Sequence, residues 1–397
     1  LWGKDLAQQA ERVVRFRGTA ELPENATADH SAGFDPTRTL AVHCGNGVDA
    51  GFSPYQSSSL SRYNGPLILG ADMRRREFIT LVGGAAAVWP LAARAQQPAM
   101  PVVGFINGGS PEGYAPMVAA FHSGLNERGY IEGNNVLVEY RWAEGHYDRL
   151  PVLATDLVGR QVAVIAANTP ATPVAKAATT TIPIVFVTAS DPIASGFVTS
   201  LNRPGGNLTG VALLNVEIGS KRLELLHELV PKASLMGLLI NPTNPNAESQ
   251  TRDMYAAAQS LGLQLHVLNA SNEGDLDKAF ATLAEVRAGA LVIGADGFFV
   301  DQSKQLAALA LRNALPAIFI TRDFVADGGM MSYGGGLREP FRLMGVYTGR
   351  ILKGERPADL PVQQVTKVEL IINFKTARTL GLTVPLTILG RADEVIE

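Results

Sequence analysis

Val102-Val-Gly-Phe-Ile-Asn-Gly-Gly-Ser-Pro-Glu-Gly113 is a short apolar, β-rich run that breaks into a polar, glycine-rich loop. The next residues, 115–128, space their apolar side chains as an amphipathic helix does and stop at Gly129. Strand, polar loop and helix in that order form half of a βαβ unit, and the rest of the chain repeats the theme. Strands are expected over 135–140, 162–166 and 183–187, with helices over 147–159 and 170–179 between them. After Thr209-Gly-Val211 the pattern restarts. Expected strands over 236–240, 264–268, 290–293 and 317–320 alternate with helices over 218–230, 247–261, 276–287 and 301–314.

Such alternation builds a parallel sheet covered by helices on both faces. Two successive series of similar size, without sequence repetition, predict two doubly wound parallel-sheet α/β lobes. Ligands of such sheets sit outside the carboxyl ends of the strands. The polar residues of this chain cluster at those ends in both series, as a cleft between facing lobes requires.

Composition narrows the function. The chain has 397 residues, 46% hydrophobic and 18% charged, with a net charge of -3, so no basic excess points to a nucleic-acid partner. No apolar run reaches the roughly 20 residues that span a bilayer, and stable membrane insertion is not expected. A single cysteine, Cys44, leaves no pair for an internal disulfide or a multi-cysteine metal site. The six histidines show no ligand spacing, so neither a metal nor a cofactor is expected.

Met73-Arg-Arg-Arg-Glu-Phe-Ile-Thr80 is followed by the apolar 81–92 and by Ala93-Arg-Ala95. Basic start, apolar middle and A-x-A cleavage site in that order read as a secretory signal. The paired arginines before x-Phe-Ile resemble a twin-arginine export signal. We expect 73–95 to be this signal, cleaved after Ala95, with a periplasmic product. Residues 1–72 lack sustained periodicity and read as a spurious or disordered extension upstream of Met73.

Arg203-Pro-Gly-Gly-Asn-Leu-Thr-Gly210 resembles the PGGN-x-TG signature of the bacterial ABC-transporter substrate-binding proteins related to tryptophan- and tyrosine-binding receptors. Glu139-Tyr-Arg-Trp-Ala-Glu-Gly145, Ile182-Pro-Ile-Val-Phe186, Asn241-Pro-Thr-Asn-Pro-Asn246 and Ile371-Ile-Asn-Phe-Lys-Thr-Ala377, followed by Leu380-Gly-Leu382, match the same family. The resemblance covers Pro101 to the C-terminus and leaves out 1–72. It implies the type I periplasmic-binding fold, with three crossovers between the lobes. The first lobe is then expected over 100–210 plus 333–360 and the second over 211–332 plus 361–397. Thr209, Gly210, Val211 and Ser332 become the hinge residues. Gly205 and Gly206 are expected to turn the chain as it leaves the first lobe. The resemblance further implies capture of a small solute, an amino acid or related carboxylate, by a monomer that delivers it to an ABC permease. A periplasmic receptor for a membrane sensor is the alternative.

A solute with charged ends needs donors and acceptors from both lobes so that closure buries it fully paired. The first-lobe candidates are Asn107, Ser110, Asn168, Thr169, Ser190 and Asp191, with Gly108 and Gly109 offering backbone N–H groups to a carboxylate. Ser110 and Asn168 suit helix capping equally well, and Asn107 and Asp191 suit the hinge. In the second lobe the candidates are Asn241, Asn244 and Asp296. An acidic group directly after a buried strand calls for a cation or several donors, although Asp296 could equally cap the next helix. Tyr333 and Phe298 could stack on an aromatic ligand or belong to the core.

No phosphate-binding loop, dinucleotide fingerprint or nucleophile elbow occurs, and no histidine stands at a strand end, so no enzyme activity is expected. The transcription regulators that share such folds need an N-terminal DNA-binding unit, which 1–72 does not resemble.

Overall fold

A computed structural model describes Met100–Glu397; the export signal and upstream extension expected over 1–95 lie outside the described residues. Among the described residues, thirteen strands divide between two sheets. The first holds β1 (Val102–Asn107), β2 (Leu137–Trp142), β3 (Val164–Ala167), β4 (Ile184–Thr188), β5 (Leu208–Leu213) and β11 (Gln363–Val365). All its pairs are parallel, in the order β11-β5-β4-β3-β1-β2. The second holds β6 (Leu235–Ile240), β7 (Gln264–Asn269), β8 (Ala290–Ile293), β9 (Ala317–Phe319), β10 (Met331–Gly334), β12 (Glu369–Asn373) and β13 (Glu394–Ile396). Its order is β13-β12-β10-β9-β8-β6-β7, parallel except where β10 meets β12.

Helices α1 (Ala115–Glu127), α2 (Leu150–Gly159) and α3 (Thr172–Ala178) join the first strands. The second lobe carries α4 (Gly219–Leu229), α5 (Ala247–Ser260), α6 (Glu273–Glu285), α7 (Gly297–Asp301), α8 (Ser303–Arg312) and α9 (Arg322–Ala326). Then α10 (Arg338–Leu352) returns to pack on α1, and α11 (Phe374–Thr379) and α12 (Leu386–Leu389) end the second lobe.

Each sheet is buried on both faces. Along β1, Val103 and Phe105 face a core with Phe121, Leu125 and Phe341, while Ile106 faces another with Leu157, Ile165 and Phe186. Successive strand side chains point to opposite faces, so one strand feeds both cores. The second lobe repeats this, with Leu239 and Phe319 on one face of its sheet and Leu238 and Ile318 on the other. The α1–α10 contact is unusually close, because a Cβ on Gly124 would collide with the Arg342 carbonyl and one on Gly345 with the Phe121 carbonyl.

The crossovers differ in detail from the expected positions. Thr209, Gly210 and Val211 lie inside β5, paired with Val185–Val187, so the first crossing follows Leu213. Ser332 sits within β10, opposite Ile371, and the second crossing follows Gly334. Strand β11 belongs to the first sheet, against the expectation that 361–397 lies in the second lobe; the third crossing is 366–368. A strand hydrogen-bonded into a sheet has no torsional freedom to act as a hinge. Gly205 and Gly206 adopt φ of 71° and 63°, the left-handed angles that favour glycine, but they turn the chain into β5 within the first lobe.

Candidate ligand-binding site

The facing strand ends enclose a cavity of about 40 Å³ between the lobes. Its apolar wall is made by Val187, Leu213 and Phe341 from the first lobe and Val300 and Ile320 from the second. Its polar lining comprises Asn168, Thr169, Asn215, Asn244 and Asp296. Beyond Leu337 a larger hollow of about 310 Å³ runs along the crossovers. The cations at its rim are answered in place: Arg322 meets Glu394, Arg338 faces Asp323, and Lys367 meets Glu369.

Asp296 follows β8 directly and is buried. Its carboxylate accepts from the Asn241 amide at 3.1 Å, the Asn244 amide at 2.5 Å and the Phe298 backbone N–H at 2.9 Å. The Tyr147 hydroxyl, from the other lobe, stands 3.2 and 3.1 Å from its two oxygens. These partners are all neutral. Burial pushes the carboxyl pKa up, and the hydrogen bonds from Asn244, Asn241, Phe298 and Tyr147 oppose the shift. Asp296 is also the N-cap of α7, so the capping and site roles fall on one residue.

Asn107 and Asn168 fix the loop after β1. The Asn107 Oδ1 accepts from the Gly109 N–H at 2.8 Å and from the Asn168 amide at 3.0 Å. The Asn168 Oδ1 accepts from the Gly108 N–H at 3.1 Å. The two glycine N–H groups expected to meet a ligand carboxylate are thus taken by side chains of the loop itself. Ser110 donates to Asp301 of the second lobe at 2.6 Å, a bond across the cleft. Burial pushes the Asp301 pKa up, opposed by its bonds to Ser110.

Thr169 lines the cavity and accepts from the Ala189 N–H at 3.0 Å. Ser190 is buried beside Thr188 and Ser195, at 3.2 and 3.1 Å, and does not reach the cavity wall. Asp191 closes a local turn through the Ile193 N–H at 2.8 Å. Tyr333 lies in β10, off the cavity, and its carbonyl accepts from Arg222 at 3.3 Å. Phe298 is buried in the second-lobe core.

Four residues that strand-end reasoning passed over belong to this arrangement: Tyr114, Tyr147, Asn215 and Asp301. Asn215 lines the cavity, its Oδ1 accepts from the Gly335 N–H at 2.8 Å, and its buried amide nitrogen has no partner among the described residues. It follows β5 closely, so reading 208–213 as a strand would have found it. Tyr147 carries no such signal, because its partner is 149 residues away.

A sequence profile of the family described as ABC transporter substrate binding protein matches residues 102–396. The chain belongs to that family. A tyrosine-binding protein of Clostridioides difficile is 26% identical over 264 residues, covering 66% of this chain and 75% of the relative. Among solved structures, a conserved domain protein from Vibrio cholerae superposes with a TM-score of 0.68 at 26% identity, over 75% of this chain and 99% of that one. An ABC domain from Streptococcus pneumoniae in complex with L-Trp gives 0.67 at 24% identity, over 75% of this chain and 100% of that one. The fold is the expected type I periplasmic-binding fold, with one antiparallel pair in its second sheet. The family is one of substrate binding, not of catalysis. Among the described residues no helix is long and apolar enough to cross a membrane, and no three His, Cys, Asp or Glu residues cluster as metal ligands.

Proposed function

We propose that this chain is the extracytoplasmic receptor of an ABC importer for an amino acid with an aromatic or large apolar side chain. The observation that carries this reading is Asp296: a buried carboxylate at the wall of a largely apolar cavity, met only by neutral donors. A ligand ammonium supplies the charge that such a site lacks. The unpartnered amide nitrogen of Asn215 and the hydroxyl of Thr169 are assigned to the ligand carboxylate, and Val187, Leu213, Phe341 and Ile320 to its side chain. The relatives that bind tyrosine and tryptophan support the aromatic class.

In this reading the protein is exported through the signal over 73–95, acts as a monomer, and delivers its ligand to a permease when closure presents surfaces of both lobes together. Asn107, Asn168, Gly108 and Gly109 shape the site, Asn241 and Asn244 orient Asp296, and Ser110 bridges the closed lobes. Ser190, Asp191 and Tyr333 act only through the loops that carry them. The test is a thermal-shift and solution-scattering screen against the common L-amino acids. L-Tryptophan or L-tyrosine should raise the melting temperature, since a ligand that binds only the folded state stabilises it. Absence of a shift with every amino acid sinks the reading. Stimulation of a reconstituted permease–ATPase by the liganded protein then separates transport from delivery to a sensor.

A further inference from the structure

The cleft is closed around Asp296 by a group of its own. Tyr147 stands in the short 3-10 turn Tyr147–Arg149 of the first lobe, and its phenol crosses to the second. There it lies 3.2 and 3.1 Å from the two Asp296 oxygens and accepts from the Phe298 N–H at 3.1 Å. The other donors to that carboxylate, Asn241, Asn244 and Phe298, come from the second lobe. A carboxylate offers about four acceptor sites, so with the phenol in place Asp296 is saturated.

The surroundings are built for this contact. A Cβ on Gly297, next to Asp296, would stand 3.0 Å from the Tyr114 hydroxyl and 3.2 Å from the Tyr147 hydroxyl. A methyl there would push the two phenols of the opposite lobe back by a few tenths of an ångström. On the other side, a Cβ on Gly108 would stand 2.7 Å from the Tyr147 ring, and one on Gly109 would strike the Tyr114 ring. The Gly108-Gly109 pair thus makes room for the two rings. Burial pushes both phenol pKa values up, so each remains a donor at neutral pH.

We propose that Tyr147 is an interlobe clasp: its hydroxyl holds the place on Asp296 that a ligand ammonium takes. The inference rests on the amino-acid reading above and adds a competitor for its carboxylate. A solute with a neutral hydroxyl exchanges one neutral hydrogen bond for another and gains nothing. An ammonium brings a charge-assisted bond, roughly twice as strong, and displaces the phenol. The clasp thereby holds the lobes together until an ammonium displaces it.

Small-angle scattering of the unliganded chain tests the clasp without any ligand. Tyr147→Phe should raise the radius of gyration of the empty protein while its circular dichroism stays native. Gly297→Ala, which crowds the same two hydroxyls from the opposite lobe, should open it likewise and covers the case that Tyr147→Phe misfolds. Unliganded scattering of both folded variants that matches the unsubstituted chain overturns the proposal. Titration with L-tryptophan and with 3-indolepropionate, which lacks the ammonium, tests the competition. L-Tryptophan displaces the phenol and 3-indolepropionate leaves it in place, so preference for L-tryptophan should rise about five- to tenfold in Tyr147→Phe, the worth of one buried hydrogen bond. An unchanged preference overturns it. A chain that binds no amino acid fails in the titration arm alone, so failure of the amino-acid reading and failure of the clasp are told apart.

Discussion

The buried guanidinium of Arg222 donates to the backbone carbonyl of Asn215 at 2.7 Å. Its other terminal nitrogen reaches the Tyr333 carbonyl at 3.3 Å, so one side chain of α4 ties the start of the first crossover to the strand that leads into the second. Among the described residues no carboxylate shares this bond network; burial lowers the Arg222 pKa to about 10, and the group stays charged at neutral pH. Removing it takes a buried donor from the Asn215 carbonyl and a part-buried one from the Tyr333 carbonyl. Arg222→Met, which keeps most of the apolar volume, should destabilise the protein by about 1–3 kcal/mol. Arg222→Ala adds a cavity and should cost more. Urea unfolding of the two variants measures both effects.

Asp296→Asn should abolish the charge that holds the ligand ammonium while keeping the side-chain shape. Affinity for L-tryptophan should fall at least about 30-fold, the lower end of the roughly 2–5 kcal/mol lost when one partner of a buried charge pair is removed. Calorimetric titration reads this directly, and unchanged affinity would exclude Asp296 from ligand contact.

Binding should also depend on pH through Asp296. Burial raises its pKa in the empty cleft, and a ligand ammonium favours the ionised form. Affinity is therefore full above the raised pKa and falls as pH drops through it, with proton release on binding in that window. Stability runs the other way for this group. Its folded pKa lies above the unfolded value, so the empty protein gains stability from Asp296 as pH falls toward the ordinary carboxylate range. Titrations between pH 7 and pH 4.5, repeated on Asp296→Asn, should show the affinity loss only in the unsubstituted chain.

Gly124→Ala and Gly345→Ala each place a methyl against a backbone carbonyl of the partner helix. Each should destabilise the first lobe by about 1–3 kcal/mol, the usual cost of overpacking. The sites share the α1–α10 interface, so the double variant should cost less than the two losses added. Thermal unfolding of the three variants checks the magnitude and the coupling.

Much of the cavity lining is legible in the sequence because strand ends advertise themselves. Asn168, Thr169, Asn244 and Asp296 each follow a buried apolar run, and all four line the cavity. Asn107 and Asn241 were found by the same rule and sit one bond behind, holding Asn168 and Asp296. The rule misled where strand limits were misjudged. Thr209-Gly-Val211 looks like a break between two series, yet Gly210 is a strand residue whose missing Cβ lets β5 lie against the Phe186 backbone of β4. A glycine chosen for close approach and a glycine chosen for a turn are the same letter.

The sequence alone determined the two-lobe α/β plan, because the apolar periods of strand and helix are local properties of the chain. It also determined which strand ends carry polar groups. Tertiary structure decided which of those groups meet. Tyr147 reaches Asp296 across 149 residues and Ser110 reaches Asp301 across 191, distances along the chain over which no local pattern persists. The roles of Gly108, Gly109 and Gly297 were decided there too. Their significance is the space they leave for two phenols, Gly108 and Gly109 within the first lobe and Gly297 from the facing one, and that space exists only once the chain has packed.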